Sequence, residues 1–178
     1  MSLANGRTYL AIPGPSVVPD AVLRAMHRAS PNIYEGELPD MMPDLIRDLK
    51  RVARTDGNVA IYISNGHGAW EAALANTVAV GEKVLVLATG FFAMAWSRIA
   101  EARGIEVHVL DFGSGGTFDL ARVEEALRAD TTHSYKAIMA VHVDTSSSNR
   151  NEFAPLRKIL DDVNHPALLM ADCIAAMG

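Results

Sequence analysis

Polar residues and glycines follow several apolar segments of this chain, and their types could support chemistry. Asp172 comes directly after the apolar run at 167–171. A carboxylate buried at the end of a strand needs a cation or several hydrogen-bond donors, and a protonated ring nitrogen would be a suitable partner. Taken alone, the same residue is equally well explained as a solvated loop aspartate or a helix cap.

The segment 64–71, Ser-Asn-Gly-His-Gly-Ala-Trp-Glu, places glycines at a predicted change from strand to helix. Glycine lets the backbone approach a ligand closely, and the free N–H groups at a helix start favour a phosphate. A tight turn also needs glycine for steric reasons, which is the better explanation of this motif by itself. The segment is neither a Walker A loop nor a dinucleotide fingerprint, because it lacks the lysine of the first and the third glycine of the second.

Two other strand-end segments are candidates for ligand contact. Residues 142–149 are rich in hydroxyls, which after strands are most often turn formers and caps. Residues 90–92, Gly-Phe-Phe, could stack on a flat ligand, although core packing is the first expectation. His67 and His142 are not spaced with other metal ligands, and Cys173 has no evident histidine partner. We therefore expect neither a metal site nor a cysteine nucleophile.

An alternation of strands and helices must position these residues. Short apolar, β-branched runs predict five strands, at 59–64, 83–88, 105–110, 136–142 and 167–172. Helical spacing predicts helices at 69–78, 92–102, 119–128 and 152–163, and two earlier ones at 20–29 and 39–53. The pattern predicts an α/β fold with three layers, a mostly parallel sheet covered by helices on both faces, with ligands at the carboxyl ends of the strands.

Composition excludes several classes of protein. The 178 residues are 49% apolar and 21% charged, which is typical of one soluble globular domain, or of one and part of another. The net charge of -5 and the scattered basic residues argue against nucleic-acid binding. No apolar run is long enough to cross a bilayer, so we expect no membrane association. The single cysteine indicates a reducing cytoplasm.

The order of these motifs resembles one known family. The opening Pro13-Gly14-Pro15, the segment 65–74 and the run from His165 to Asp172 are similar to the class V aminotransferases of pyridoxal-phosphate fold type I. Within that family, the serine–glyoxylate and alanine–glyoxylate aminotransferases are the most similar. The resemblance implies pyridoxal 5′-phosphate as cofactor and a homodimer with shared active sites. It also implies amino transfer from serine or alanine to glyoxylate or another 2-oxo acid.

The resemblance also implies roles for particular residues. Asn65, Gly66 and His67 would hold the cofactor phosphate, largely through the backbone. The other implied contacts are with the ring: Phe92 on one face, Ile174 on the opposite face, Thr145 at the phenolic oxygen and Asp172 at the pyridinium nitrogen. The chain departs from the family at Asn65, where a small hydroxyl residue is usual, and at Ser148, where glycine is common.

In this family the Schiff-base lysine follows the aspartate at a distance that the chain does not reach, and Lys50, Lys83, Lys136 and Lys158 do not match its motif. We therefore expect an N-terminal arm at 1–20 and, at 21–178, the N-terminal part of the large domain, without the small C-terminal domain. Another class V activity, such as a lyase or desulfurase, stays open. So does a truncated, non-catalytic phosphate-binding or interaction module. A nicotinamide-dependent enzyme is disfavoured, since no acidic residue follows a complete glycine fingerprint.

Overall fold

The computed structural model describes residues 10–12 and 14–177, which form two compact units, Met1–Val59 and Ala60–Gly178. The first unit contains helices α1 (Asp20–Met26) and α2 (Glu37–Ala53), close to the two early helices that the sequence predicts. Much of the expected N-terminal arm, and Pro13 of its motif, lies outside the described residues.

The second unit contains the alternating part of the chain. Its elements are α3 (Gly66–Thr77), β1 (Lys83–Ala88), α4 (Phe91–Ala102), β2 (Glu106–Asp111), α5 (Leu120–Ala129), β3 (Tyr135–Val141), α6 (Phe153–Asp162) and β4 (Leu168–Asp172). The strands form one parallel sheet in the order β2-β1-β3-β4. From β1 the chain continues to β2 on one side, and from β3 it continues to β4 on the other side. The strand order therefore reverses between the two central strands, β1 and β3. Crevices at such switch points are where open α/β sheets bind ligands.

Helices cover both faces of the sheet. On one face, Val84 and Val86 of β1 pack in a cluster with Trp70 and Leu74 of α3 and Trp96 of α4. The alternate residues of β1 face a second cluster, which contains Leu85, Leu87, Val123, Leu127, Leu156 and Leu160. Side chains alternate across a strand, so a strand buried on both faces is apolar throughout. The predicted three-layer α/β fold is therefore confirmed.

The strand predicted at 59–64 is wrong. Residues 60–64 belong to no strand, and Ile61, Tyr62 and Ile63 are exposed by 46%, 54% and 102%. A β-branched run gives only a propensity, and a strand forms when a neighbour accepts its backbone hydrogen bonds. Among the described residues, no strand pairs with this segment, so the sheet has four strands rather than five.

A buried polar cluster fixes the amino ends of β3 and β4. The Asp130 carboxylate accepts hydrogen bonds from the amides of Ser134 and Tyr135, from the Ser134 hydroxyl and from His165 Nε2 at 3.2 Å. Since Nδ1 of His165 accepts from the Ala167 amide, its Nε2 carries the proton. Burial favours the neutral acid, but the hydrogen bonds outweigh it and hold the pKa of Asp130 well below its ordinary value.

Candidate active site

The residues that the sequence singles out come together in the second unit, at the carboxyl ends of the strands. The turn at 65–68 starts α3, Gly90 and Phe92 follow β1, the loop at 142–151 follows β3, and Asp172 ends β4. These four segments therefore lie at one edge of the sheet, which is the edge where open α/β sheets bind ligands.

The two glycines in the turn at the start of α3 have different roles, one in packing and one in leaving space for a ligand. A side chain at Gly68 would place its Cβ 2.6 Å from the Cβ of Ser64, so this glycine is required by packing. A Cβ at Gly66 would meet no atom within 4 Å, so packing does not require this one. Asn65 caps the helix, because its Oδ1 accepts from the Gly68 amide at 3.2 Å. The amides of Gly66 and His67 have no hydrogen-bond partner among the described residues, and both residues are exposed.

The start of α4 differs, because its amides are already occupied. The Phe91 amide donates to Ser146 Oγ at 2.9 Å, and those of Phe92 and Ala93 donate to Asp144 Oδ2 at 2.9 and 3.2 Å. The other carboxylate oxygen of Asp144 accepts from the amide and hydroxyl of Ser146. Of these two helix starts, only α3 has amides available for an anion.

Asp172 is a buried carboxylate that accepts hydrogen bonds from two N–H donors. Its Oδ1 accepts from the Ile174 amide at 2.9 Å, and its Oδ2 accepts from Trp70 Nε1 at 3.0 Å. The residue is 9% exposed, and no described lysine, arginine or histidine forms an ion pair with it. A carboxylate has about four acceptor positions, so Asp172 can accept from a further donor. The solvated loop aspartate considered from the sequence does not fit this burial.

Trp70 is a residue that the sequence analysis did not select, and it joins the predicted site residues. Besides its bond to Asp172, its ring contacts His67 edge-on at 4.7 Å between centroids and Phe92 at 6.3 Å. Its other neighbour is Trp96, stacked at 5.5 Å. The available signal was its place four residues after a glycine turn, on the first turns of a helix that starts at the sheet's ligand edge.

Phe92 is half-buried and packs against the core cluster that contains Trp70. It therefore contributes to the core while remaining accessible at the ligand edge. Thr145 is half-buried in the 142–151 loop, and Ile174 is 78% exposed. The side chains of Thr145 and Ile174 form no hydrogen bond or ring contact with the other predicted site residues that the structure describes.

The 142–151 loop is closed by a buried asparagine. The Asn151 amide donates to the His142 carbonyl at 2.8 Å, while its side-chain Nδ2 donates to Thr89 Oγ1 and to the Val141 carbonyl, both at 2.9 Å. Its Oδ1 accepts from the Phe118 amide at 3.1 Å. Asn151 is fully buried, so it ties the ends of β1 and β3 together from inside.

Within residues 10–12 and 14–177, no three histidine, cysteine, aspartate or glutamate side chains are placed to hold a metal ion. Burial, followed by the charge of Asp172, raises the pKa of the Cys173 thiol, which makes it a poor nucleophile at neutral pH.

A cavity of about 620 Å³ lies at the opposite edge of the sheet, where the ion pairs Lys83–Glu106 and Lys136–Glu82 contribute to its lining. No helix among the described residues is both long and apolar enough to span a membrane.

The sheet is parallel and covered on both faces, and its ligand edge carries amides that can donate to an anion and a buried carboxylate. This arrangement is typical of α/β enzyme domains that bind a phosphorylated cofactor. The family model of the class V aminotransferases matches residues 8–178. The chain therefore belongs to this family, as its sequence motifs predict, and its cofactor is pyridoxal 5′-phosphate.

Individual proteins that are similar to the chain are also aminotransferases. The chain is 37% identical to a serine–glyoxylate aminotransferase of Methylorubrum extorquens, over 97% of its length and 43% of the relative's. It is 30% identical to an L-aspartate–glyoxylate aminotransferase of Paracoccus denitrificans, over 94% of its length and 42% of the relative's. Among solved structures, an aspartate aminotransferase from Thermus thermophilus superimposes with a TM-score of 0.82 at 26% identity, covering 96% of this chain and 47% of that one. The chain thus spans less than half the length of these relatives.

The residues at the ligand edge fit the cofactor. Two amides at the start of a 12-residue helix, which have no partner in the part of the chain that the structure describes, suit a phosphate. A buried carboxylate that forms no ion pair with those described residues suits a protonated pyridine nitrogen. An accessible aromatic ring, Phe92, lies near both features through its contact with Trp70.

Proposed function

We propose that the protein transfers an amino group between a small amino acid, serine or alanine, and glyoxylate or another 2-oxo acid. The observation that carries the proposal is Asp172, a buried carboxylate at the ligand edge whose only described partners are two neutral N–H donors. A negative charge held without a cation is suited to stabilise a cationic ring nitrogen. The relatives named for glyoxylate as a substrate support the choice of acceptor.

The phosphate would be bound at the start of α3. The amides of Gly66 and His67 would donate to it, and the positive end of the helix dipole would add to the attraction. Asn65 would act mainly by holding the turn, since its side-chain oxygen is already bonded to the Gly68 amide. Gly66 would leave room for close approach, because no atom lies within 4 Å of a Cβ built there.

The ring would lie between an aromatic and an aliphatic side chain. Phe92 would contact one face and Ile174 the other, while Thr145 would hydrogen-bond the phenolic oxygen. Asp172 would favour the protonated ring nitrogen, and the bound cofactor would then supply an electron sink for the substrate's α-carbon. Binding at Phe92 would remove ring surface from water, with a stacking contribution of about 1 kcal/mol.

The lysine that carries the cofactor and moves the α-proton is proposed to lie outside this chain. Lys83 and Lys136 stand near the amino ends of β1 and β3, five residues before the last residue of each strand. At about 3.3 Å per residue, this places their backbones roughly 16 Å from the ligand edge. Lys158 is exposed on α6, where it pairs with Asp162. The division into an N-terminal arm at 1–20 and a partial large domain at 21–178, and a cytoplasmic homodimer, remain predictions from the sequence.

The test uses the complete gene product purified with its cofactor. Serine and alanine are offered as donors with glyoxylate and pyruvate as acceptors, and the keto acid formed is measured. Asp172→Asn keeps the shape of the side chain but removes its charge, so bound cofactor should be retained while kcat falls about 10²- to 10³-fold. Asp162→Asn, which alters an exposed ion pair on α6, is the control and should behave as wild type.

Two results would contradict the proposal. A wild-type protein that binds the cofactor but transfers no amino group from any small amino acid would favour another class V activity or a binding module. An Asp172→Asn variant within a few-fold of the wild-type kcat would remove Asp172 from its proposed role.

A further inference from the structure

The two tryptophans of the chain are stacked neighbours that differ in one hydrogen bond. Trp70 and Trp96 are 6% and 3% exposed, and their rings lie 5.5 Å apart and within 13° of parallel. The indole nitrogen of Trp70 donates to Asp172 Oδ2 at 3.0 Å. The indole nitrogen of Trp96 is buried and has no hydrogen-bond partner among the described residues. Substitutions at these two positions can therefore distinguish the effect of losing a buried aromatic ring from the effect of losing the N–H group bonded to Asp172.

We propose that Trp70 is a positioning residue, which fixes the orientation of the Asp172 carboxylate. The inference rests on the proposed role of Asp172. The Trp70 bond joins α3 to the end of β4 across 102 residues of sequence. The second bond to the carboxylate, from the Ile174 amide to Oδ1, comes from the backbone two residues away.

Two donors on different oxygens determine the plane of a carboxylate. The Ile174 amide alone would hold Oδ1 and allow rotation of the group about its terminal bond, which is a broad torsion. With Trp70 holding Oδ2, the remaining acceptor positions of both oxygens have fixed directions. A ring nitrogen that must meet one of these positions then finds the group already oriented, which is preorganisation of the kind that enzymes use at developing charges.

The neutral donor also matters for charge. An arginine or lysine in place of the indole would neutralise the carboxylate and weaken its attraction for a cationic ring nitrogen. The indole N–H stabilises the negative charge and leaves it uncompensated. Trp70 also contacts the rings of His67 and Phe92, so its position is fixed from several sides.

The test compares Trp70→Phe with Trp96→Phe in the complete gene product with bound cofactor. Each variant removes one indole from the same stacked pair, but only the first removes a bond to Asp172. We measure kcat and KM, the Kd for pyridoxal 5′-phosphate, the absorbance of the bound cofactor against pH, and the midpoint of thermal unfolding. A Trp70 variant in which benzothienylalanine replaces the tryptophan removes the N–H group while preserving the ring's shape, and it serves if Trp70→Phe does not fold.

We expect Trp70→Phe to lower kcat about 10- to 100-fold, the range for losing one hydrogen bond to a charged group, with KM close to wild type. The pH dependence of the bound cofactor's absorbance should shift as well. Trp96→Phe should keep kcat within about three-fold of wild type and leave the pH dependence of the absorbance unshifted. This should hold even if its midpoint of thermal unfolding falls as much as that of Trp70→Phe.

The contrary outcomes are distinguishable. If Asp172→Asn abolishes turnover while Trp70→Phe and the benzothienylalanine variant match Trp96→Phe in kcat and absorbance, Trp70 is only a core residue and the inference fails alone. If Asp172→Asn is itself as active as wild type, the proposed function of Asp172 fails, and the inference with it.

Discussion

Gly90 offers a sharp test of how the loops after β1 and β3 are held together. Its φ of 175° is extended backbone that any residue adopts, so the conformation does not require glycine. A Cβ at this position would nevertheless lie 2.4 Å from Asp144 Cγ and 2.6 and 2.7 Å from its two carboxylate oxygens. We therefore expect Gly90→Ala to be destabilising for a steric reason, since the three atoms nearest to the added Cβ all belong to Asp144.

The magnitude follows from what Asp144 must give up in order to move. The side chain is fully buried, and its carboxylate accepts from two amides of α4 and from the amide and hydroxyl of Ser146. Overpacking by one methyl group costs about 1–3 kcal/mol, and weakening one or two hydrogen bonds to a charged group adds about 1.5–3 kcal/mol. The expected loss in the free energy of unfolding is about 3–5 kcal/mol.

The assay is a double-mutant cycle with Asp144→Ala, measured by urea unfolding of the complete gene product. Gly90→Ala should cost less than about 1 kcal/mol once the carboxylate is absent, giving a coupling energy of at least about 2 kcal/mol. Gly115→Ala is the control, since a Cβ there meets nothing within 4 Å and its backbone is outside the left-handed region. Additive losses in the cycle would refute the argument that Asp144 is what excludes a side chain at position 90.

Three further predictions address single positions. Ser148 has a φ of 60°, in the left-handed region, so Ser148→Gly should raise the free energy of unfolding by about 0.5–1 kcal/mol in urea, and a gain from Ser148→Ala as well would contradict the reason. Phe92→Ala should weaken cofactor binding by about 1–3 kcal/mol in a fluorescence titration and also lower the free energy of unfolding, because the ring packs against the core as well, whereas lost stability at unchanged affinity would indicate a core role alone. Because the pKa of Asp130 is lowered in the folded protein, its contribution is present above its unfolded pKa of about 3.9 and is lost as pH falls below that value. Asp130→Asn should therefore show a shallower loss of stability between about pH 4 and pH 2, and an unchanged slope in acid titrations of stability would contradict it.

The sequence predicts the parts of this fold that depend on local pattern. The run at 83–88 is apolar at almost every position because β1 is buried on both faces, and the structure places a strand at the same residues. The helix predicted at 119–128 is also present, as α5, and the side chain of Asp119 caps it by accepting from the Ala121 and Arg122 amides. The segment 59–64 has a similar strand pattern, but no described strand pairs with it, because pairing is not encoded locally.

The candidate site divides in the same way. The glycines of the α3 turn and the aspartate after β4 could be found because both stand at predicted element ends. Trp70 and Asp144 could not, since their partners lie 102 and 52 residues away and depend on which strands become neighbours. Until the sheet order is known, a buried tryptophan resembles any core residue and an aspartate after a strand resembles a turn former.

Asn151 has a consequence for how this protein tolerates sequence variation. Its side-chain oxygen must accept from the Phe118 amide while its nitrogen donates to the Thr89 hydroxyl and the Val141 carbonyl, and the residue is fully buried. Aspartate offers no donor, leucine offers neither group, and glutamine is one methylene too long for a closely packed interior. In a library of all substitutions, position 151 should therefore be as intolerant as a catalytic residue, although the role described for it is to close a loop. A profile of mutational tolerance would mark this asparagine as part of the active site for a reason that belongs to folding.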